Sequence, residues 1–232
     1  MTNLLIATNN QGKIEELQDL LQDTGIELIT PAQINLDLDV VEDGLTYAEN
    51  ATKKAIAFAQ ASGLISLADD SGLEVDALDG APGLYSARYG SPNGGKLSDA
   101  ERCKILIQNL KDKPRPWTAR FKAAIAIAVP DHVTLSREPQ TASAAKSLSS
   151  HKETLRSPES GSLRVTCTEG ICEGEIIPEE RGAGGFGYDP IFLFPELGKT
   201  MAELSMEEKN RLSHRAKAAM KAKEVLKTLF TK

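Results

Sequence analysis

The sequence has few of the residues that build cross-linked or zinc-stabilised domains. Three cysteines and three histidines occur in 232 residues, and no two cysteines form a CxxC pair. A structural zinc site needs clustered Cys and His ligands, and a disulfide framework needs paired cysteines. The composition therefore argues against both kinds of domain. Unpaired thiols also favour a reducing, cytoplasmic setting.

Long apolar runs and a surplus of positive charge are missing as well. The longest apolar run, residues 123–129, has seven residues, and no basic segment precedes an apolar one at the N-terminus. A membrane-spanning helix needs about 20 apolar residues, so we expect neither a membrane span nor a signal peptide. The formal net charge of −6 disfavours a nucleic-acid-coating protein, because such binding depends on clustered Lys and Arg.

What is present is typical of a folded α/β protein. Hydrophobic residues make up 41% of the chain and charged residues 26%, which is near the globular average. Residues 3–8 predict a buried strand that leads into a helix, and residues 64–68 predict a core strand ending at Asp69 and Asp70. Residues 121–129 and 191–194 predict further strands. Strands and helices thus alternate, as in an α/β fold of one large domain or of two lobes sharing a cleft.

Three capping boxes mark helix starts. Each pairs a Ser or Thr with a Glu three residues later, a spacing that lets both side chains bind free backbone N–H groups. They are Thr46 with Glu49, Ser98 with Glu101, and Ser205 with Glu208.

The segment from Pro130 to residue 162 differs in character from the rest. It is rich in serine and has no sustained apolar period, which predicts a flexible insertion at about residues 135–162. A long hairpin arm is the alternative, since structureless loops of this length are rare inside compact domains.

Residues 9–13 (NNQGK) lie where the first strand gives way to a helix. Free backbone N–H groups and the helix dipole favour an anion there, and Lys13 would add a positive charge. The segment is not a Walker A loop, because the first glycine is missing and Ile14 follows the lysine. Taken alone, it fits an ordinary capped helix better than a phosphate site.

Asp69 and Asp70 are the strongest candidates for chemistry. Adjacent carboxylates are costly unless they are solvated or held by a cation, and the carboxyl ends of strands are where α/β sites form. One of these aspartates, with an upstream carboxylate such as Glu42, would suffice for Mg²⁺, which also takes phosphate oxygens and water. A polar turn explains the pair equally well on its own.

Two later segments could contact a nucleotide. Residues 182–187 match the GxGxxG pattern, but a strand follows where a dinucleotide fold needs a helix. Phe186 and Tyr188 in that region offer faces on which a base could stack. Lys209, His214 and Arg215 fall within seven residues of one another and could meet a triphosphate or base, although solvated helix charge is the commoner meaning.

Six segments, in this order, closely resemble the signatures of the HAM1/inosine triphosphate pyrophosphatase family. They are residues 7–13 (ATNNQGK), 46–51 (TYAENA), 68–73 (ADDSGL), 80–89 (GAPGLYSARY), 184–190 (GGFGYDP) and 213–215 (SHR). Together they span nearly the whole chain and are far more specific than any single motif. The chain departs from the family's usual pattern at residues 135–162, where the connection is shorter in other members.

The resemblance implies a two-lobed, mixed-sheet α/β fold with a central cleft, in which residues 1–232 form one catalytic domain. It implies a magnesium-dependent enzyme, usually a homodimer, that cleaves ITP, dITP and XTP to the monophosphate and pyrophosphate in a house-cleaning role. The resemblance also implies attack at the α-phosphorus rather than the γ-phosphorus, a choice that composition and residue spacing do not indicate. A γ-phosphate hydrolase and a non-catalytic nucleotide-binding module are the alternatives.

The resemblance also assigns roles by position. Asp70 matches the proton acceptor and metal ligand, and Glu42 a second carboxylate near the metal. Asp69 is a supporting group, and the remaining matches are substrate-binding positions. These are Thr8, Asn9, Asn10, Gln11, Gly12, Lys13, Lys54 and Ser71 on the phosphate side, and Phe186, Gly187, Tyr188, Asp189, Lys209, His214 and Arg215 on the base side.

Overall fold

A computed structural model describes residues 3–92, 94–95, 97–130 and 163–230. Within these ranges the chain forms one seven-stranded mixed sheet and five α-helices. The α/β class expected from the sequence is confirmed. The insertion predicted at residues 135–162 lies outside the described residues.

Parallel pairing is confined to one end of the sheet. The strands are β1 (Asn3–Ile6), β2 (Glu27–Ile29), β3 (Ile65–Val75), β4 (Trp117–Pro130), β5 (Leu163–Ile176), β6 (Phe192–Phe194) and β7 (Lys199–Thr200), in the spatial order β2-β1-β3-β4-β5-β6-β7. β1 runs parallel to both β2 and β3. The pairs from β3 through β7 are antiparallel.

Three of the five helices begin where the capping boxes predict. The helices are α1 (Gln11–Leu21), α2 (Tyr47–Ser62), α3 (Asp99–Leu110), α4 (Met206–Leu212) and α5 (His214–Phe230), and the three boxes precede α2, α3 and α4. Ser98 and Ser205 complete reciprocal capping boxes. At α2 the box is only half formed, because the Thr46 side chain accepts from the Glu49 N–H while the Glu49 carboxylate accepts from the Leu45 N–H.

Helices cover both faces of the sheet. One apolar cluster joins α1 and α5 to the β3 residues Ile65 and Leu67. A second joins α2 to Ala68, on the opposite face of the same strand. A third cluster packs α3 against the far ends of β3, β4 and β5. β3 therefore runs through all three clusters, so side chains in its middle can reach elements from both faces.

The prediction that β3 ends at Asp69 and Asp70 is wrong. β4 pairs with β3 from Ser66 to Val75 and supplies the hydrogen bonds that extend the strand past both aspartates. β1, however, pairs with β3 only as far as Leu67. The two aspartates thus lie inside a strand, yet beyond the end of its parallel neighbour.

None of the helices in the described ranges is both long enough and apolar enough to cross a bilayer.

Candidate active site

Asp69 and Asp70 point to opposite faces of β3, because successive strand residues alternate. Asp69 faces α1 and α5, where it contacts Lys13 and Arg215. Asp70 faces α2, where Lys54 lies 3.6 Å away. Both carboxylates are buried, with 1% of Asp69 and 8% of Asp70 exposed. The alternation gives two adjacent carboxylates two separate environments.

Asp69 is surrounded by positive charge. It forms an ion pair with Lys13, and the Arg215 Nε lies 3.2 Å from its Oδ2. Burial alone would raise the pKa of this carboxyl, but Arg215 and Lys13 together hold the pKa well below its usual value. Asp69 therefore stays ionised and anchors the two cations.

Burial and nearby cations also act on Asp70, but here their net effect on the pKa is the opposite. Burial raises the pKa of its carboxyl above the ordinary value, and Lys54 and Lys13 only partly oppose that shift. Two titratable groups whose environments push their pKa values apart commonly divide acid–base tasks between them. A carboxylate with a raised pKa is the better proton acceptor of the two.

Two ammonium groups meet beyond the end of β1. The carbonyl oxygen of Asp69 accepts from Lys54 Nζ at 2.8 Å and lies 3.4 Å from Lys13 Nζ. This carbonyl lies on the edge of β3 that β1 no longer covers, because β1 stops opposite Leu67. Lys13 comes from α1 and Lys54 from α2, so the two helices bring positive charge to one point beside Asp70.

The N-terminus of α1 adds backbone donors to this point. The Asn10 side chain caps the helix by accepting from the Lys13 N–H at 3.1 Å, and the Asn10 N–H donates to Thr8 Oγ1 at 3.2 Å. The N–H groups of Gln11 and Gly12 belong to the first turn, where no intrahelical acceptor exists. Such a turn favours an anion.

Ser71 contacts both Asp69 and Arg215. Its hydroxyl oxygen accepts from Arg215 Nη2 at 3.0 Å and lies 3.3 Å from Asp69 Oδ1. Ser71 therefore belongs to the Asp69 and Arg215 contacts, although it follows Asp70 in sequence.

The glycine-rich loop meets the phosphate segment at Gly12. A Cβ atom at Gly12 would lie 2.4 Å from Phe186 Cδ1, so only glycine lets the ring lie this close. Lys209 Nζ and Arg215 Cζ each lie 5.5 Å from the centre of the Phe186 ring, within cation–π range. The loop and the start of α1 thus form one continuous surface.

The two aromatic residues of the loop have different environments. Phe186 is partly exposed, whereas 2% of Tyr188 is exposed. The Tyr188 hydroxyl donates to the Ser86 carbonyl at 3.0 Å. Of the two rings, Phe186 therefore offers a face for a base, and Tyr188 packs into the core.

A buried ion network links α1 with the C-terminal helices. Lys209 Nζ lies 2.8 Å from Asp189 and 2.6 Å from Glu16, while Arg215 Nη1 lies 2.5 Å from Glu16. Burial lowers the pKa of Lys209, but Asp189 and Glu16 outweigh it, so the net shift is upward. These cations are held in place rather than solvated, which the sequence alone could not decide.

The His214 side chain is buried beside this network and packs against Phe121 and Cys172. Its ring stacks on Phe121 with centroids 4.7 Å apart, and its Nδ1 lies 3.9 Å from Cys172 Sγ. Burial, followed by the charge of Arg215, lowers the pKa of His214 well below its usual value. The imidazole is therefore neutral at physiological pH.

Glu16 is the site residue that sequence reasoning missed. Glu15 and Glu16 are adjacent on α1, and only Glu16 is buried. The helical period gives no signal for it, because both glutamates lie between the apolar residues Ile14 and Leu17 in sequence and off the apolar stripe of the helix.

The donor set beside Asp70 fits a hard divalent cation. Glu42 lies 2.7 Å and Asp70 3.6 Å from Lys54 Nζ, so both carboxylates already share one cationic group. Across the described ranges, no three His, Cys, Asp or Glu side chains converge in a way that could hold a metal. Mg²⁺ commonly takes only one or two protein carboxylates and completes its shell with phosphate oxygens and water.

Comparison with known proteins agrees with the resemblance carried by the motifs. The Ham1 family matches residues 4–225. A dITP/XTP pyrophosphatase of Desulforamulus reducens is 43% identical over 229 residues, covering 98% of this chain and 96% of that protein. A second dITP/XTP pyrophosphatase, from Desulfotalea psychrophila, is 42% identical over 220 residues, covering 95% of this chain and 83% of that protein.

A solved structure agrees at the level of the fold. The HAM1 protein of Coxiella burnetii superposes with a TM-score of 0.73 at 36% identity, covering 97% of this chain and 98% of that one. The fold expected from the six motifs is thereby confirmed. This chain belongs to the Ham1 family.

Proposed function

We propose that the chain hydrolyses non-standard purine nucleoside triphosphates, ITP, dITP and XTP, to the monophosphate and pyrophosphate. The observation that carries the proposal is the pair of inequivalent aspartates beside two converging ammonium groups at the start of α1. The relatives named dITP/XTP pyrophosphatase support it over nearly the full length of the chain. Removal of such nucleotides from cellular pools is the corresponding role.

The triphosphate binds between α1 and α2. Lys13 and Lys54 neutralise phosphate charge, and the first-turn N–H groups of α1 donate to phosphate oxygens. Thr8, Asn9 and Gln11 border the same turn. Asp69 positions Lys13 through their ion pair and takes no part in proton transfer, because its pKa is held far below that of its neighbour.

Asp70 is the proton acceptor. Its carboxylate takes a proton from a water molecule whose oxygen attacks the α-phosphorus. The bond between that phosphorus and the bridging oxygen breaks, and pyrophosphate leaves with the electron pair. Burial makes Asp70 a stronger base than a solvated aspartate, which favours proton transfer in the transition state.

Enzymes of this kind generally need a divalent metal ion, and we propose Mg²⁺ held by Asp70 and Glu42. When bound, the ion would neutralise charge on the phosphate oxygens and lower the pKa of a coordinated water. Lys54, which contacts both carboxylates, keeps them within reach of one another before the ion and the nucleotide arrive.

Selectivity for the base depends on the loop that carries Phe186. Its ring stacks on the purine, while donors nearby meet a 6-oxo group. Lys209 has three N–H donors, two of which are directed at Asp189 and Glu16, and the third serves the substrate. Adenine would place a 6-amino donor against these donors, and an unpaired buried donor costs about 1–3 kcal/mol.

The test is hydrolysis of ITP and of ATP by the purified protein with Mg²⁺. We expect pyrophosphate and IMP in equal amounts, and a kcat/KM for ITP at least about tenfold above that for ATP. Orthophosphate as the product would favour the γ-phosphate hydrolase. Binding of ITP without turnover would favour the non-catalytic module, and equal efficiencies would remove the proposed basis of selectivity.

Other expectations from the sequence and from the family resemblance stay predictions. They are a single two-lobed catalytic domain over residues 1–232, a homodimer, a cytoplasmic location and no role in binding nucleic acid. Sedimentation of the purified protein tests the homodimer.

A further inference from the structure

The start of α3 contacts the loop that carries Phe186, although no motif links the two. The carboxylate of Asp99 accepts from the Gly187 N–H at 2.5 Å. The thiol of Cys103, one helical turn later, donates to the Gly187 carbonyl at 3.4 Å. Burial raises the pKa of Cys103 to about 12, so the thiol keeps its proton. Both backbone groups of Gly187 are therefore held by α3.

Gly187 is the residue at which the loop turns. Its φ is +66°, a conformation that residues other than glycine rarely adopt. Its neighbours on either side are Phe186, whose ring is partly exposed, and Tyr188, whose ring is buried. The Gly187 N–H belongs to the peptide that joins Phe186 to Gly187, so its bond to Asp99 constrains the backbone that carries the Phe186 ring.

The other oxygen of Asp99 ties the loop to the sheet. It forms an ion pair with Arg102, whose Nη1 donates to the Ser86 carbonyl at 3.0 Å. That carbonyl also accepts from the Tyr188 hydroxyl, and the Ser86 hydroxyl accepts from the Leu73 N–H of β3 at 2.9 Å. A chain of contacts thus runs from Gly187 through Asp99 to the strand that carries Asp70.

We propose that Asp99 is a positioning residue that sets the purine selectivity of the enzyme by fixing the Gly187 peptide of the base-binding loop. This inference rests on the proposed function. Asp99 contacts the loop and not the phosphate segment, so its loss changes how the base is held and leaves the hydrolytic step intact.

The first test compares Asp99→Ala with two controls. Glu101→Ala removes the other carboxylate at the start of α3, which caps the Ser98 N–H, and touches no part of the loop. Asp99→Asn keeps an oxygen acceptor for Gly187 while losing the charge that pairs with Arg102. The two controls separate the loop contact from helix capping and from the ion pair.

We expect Asp99→Ala to raise KM for ITP and to lower the ITP/ATP ratio of kcat/KM about tenfold, with little change in kcat. Asp99→Asn should keep most of the wild-type ratio. Glu101→Ala should affect ITP and ATP equally. A wild-type ratio in Asp99→Ala, or the same fall in ratio in Glu101→Ala, overturns the proposal.

The second test needs no nucleotide, so it separates this proposal from the proposed function. Amide hydrogen exchange at Gly187 should be protected in the wild type and at least about tenfold faster in Asp99→Ala, because local opening exposes the N–H. Unchanged exchange there overturns the positioning role, whatever the hydrolysis assay shows.

Discussion

At the residue scale, neighbouring aspartates on one strand meet opposite electrostatic conditions. Asp69 lies between Lys13 and Arg215, and its ionised form is stabilised. At Asp70 burial outweighs the nearby charges of Lys54 and Lys13 and raises the pKa, so its ionised form is disfavoured. The fold therefore depends on the charge of Asp69 and tolerates that of Asp70.

This difference predicts that replacing Asp69 by Asn destabilises the protein, whereas replacing Asp70 by Asn does not. Asp69→Asn should lower the free energy of unfolding by about 3–5 kcal/mol, because it removes the carboxylate that pairs with buried Lys13 and one of the two carboxylates that pair with buried Arg215. Asp70→Asn should leave it unchanged or raise it, since a raised folded-state pKa means that the charge opposes folding at neutral pH. Urea denaturation of both variants without metal measures this. Equal destabilisation would contradict the assignment of roles.

His214 predicts how stability changes with pH. Its folded-state pKa lies well below 6.5, so below pH 6.5 the unfolded chain binds a proton that the folded chain rejects. Stability should therefore fall as pH drops from 7 to 5.5, by at most about 1.4 kcal/mol per pH unit. Most carboxylates titrate below that window.

The matched variant is His214→Phe, which keeps a ring against Phe121 and removes the titrating group. Its stability curve should be flatter than the wild-type curve between pH 7 and 5.5, when urea unfolding is measured at several pH values. Parallel curves for the two proteins would show that another group carries the dependence.

At the element scale, the contact between β5 and α5 is unusually close. A Cβ at Gly170 would lie 2.1 Å from the His214 carbonyl oxygen and 2.5 Å from the Ala218 nitrogen. Lys217 and Lys221 of α5 donate to the β5 carbonyls of Ile171 and Glu169 at 2.9 and 2.7 Å. The helix thus covers backbone groups on the part of the β5 edge that β6 does not pair with. A covered strand edge resists pairing with other chains.

Gly170→Ala should destabilise the protein by at least about 2 kcal/mol, because the obstructing atoms are backbone and cannot rotate away. Gly95→Ala is the matched control, since none of the described residues comes within 4 Å of a Cβ built there. Thermal unfolding of the two variants makes the comparison. If Gly170→Ala were as stable as Gly95→Ala, the close packing of α5 on β5 would be refuted.

At the scale of the whole molecule, alternating charges connect the two halves of the proposed site. Asp189, Lys209, Glu16, Arg215, Asp69 and Lys13 follow one another through direct contacts. The network runs from the loop that carries Phe186, the proposed base-binding segment, to Lys13 at the proposed phosphate site. These ion pairs hold the two halves in a fixed relative position before any substrate binds.

Structural features that depend on neighbouring residues could be predicted from the sequence, and features that depend on residues far apart in sequence could not. Helix starts followed from capping residues such as Ser98 and Ser205, because capping is local. The extent of β3 did not, because β4 sustains the strand through Asp69 and Asp70 and is far away in sequence. The motifs single out Lys13 and Asp70 as candidate site residues, whereas the contacts of Glu16 span about 200 residues and no local pattern indicates them.

The proposed role of Asp70 is tested most directly by the rate of pyrophosphate release from ITP with Mg²⁺, measured for the wild type and for Asp70→Asn. If Asp70 accepts the proton from the water that attacks the α-phosphorus, the wild type releases pyrophosphate rapidly, and the rate for the variant, whose fold should be intact, is at least about a hundredfold lower. Release at the wild-type rate by Asp70→Asn, or orthophosphate in place of pyrophosphate from the wild type, would contradict it.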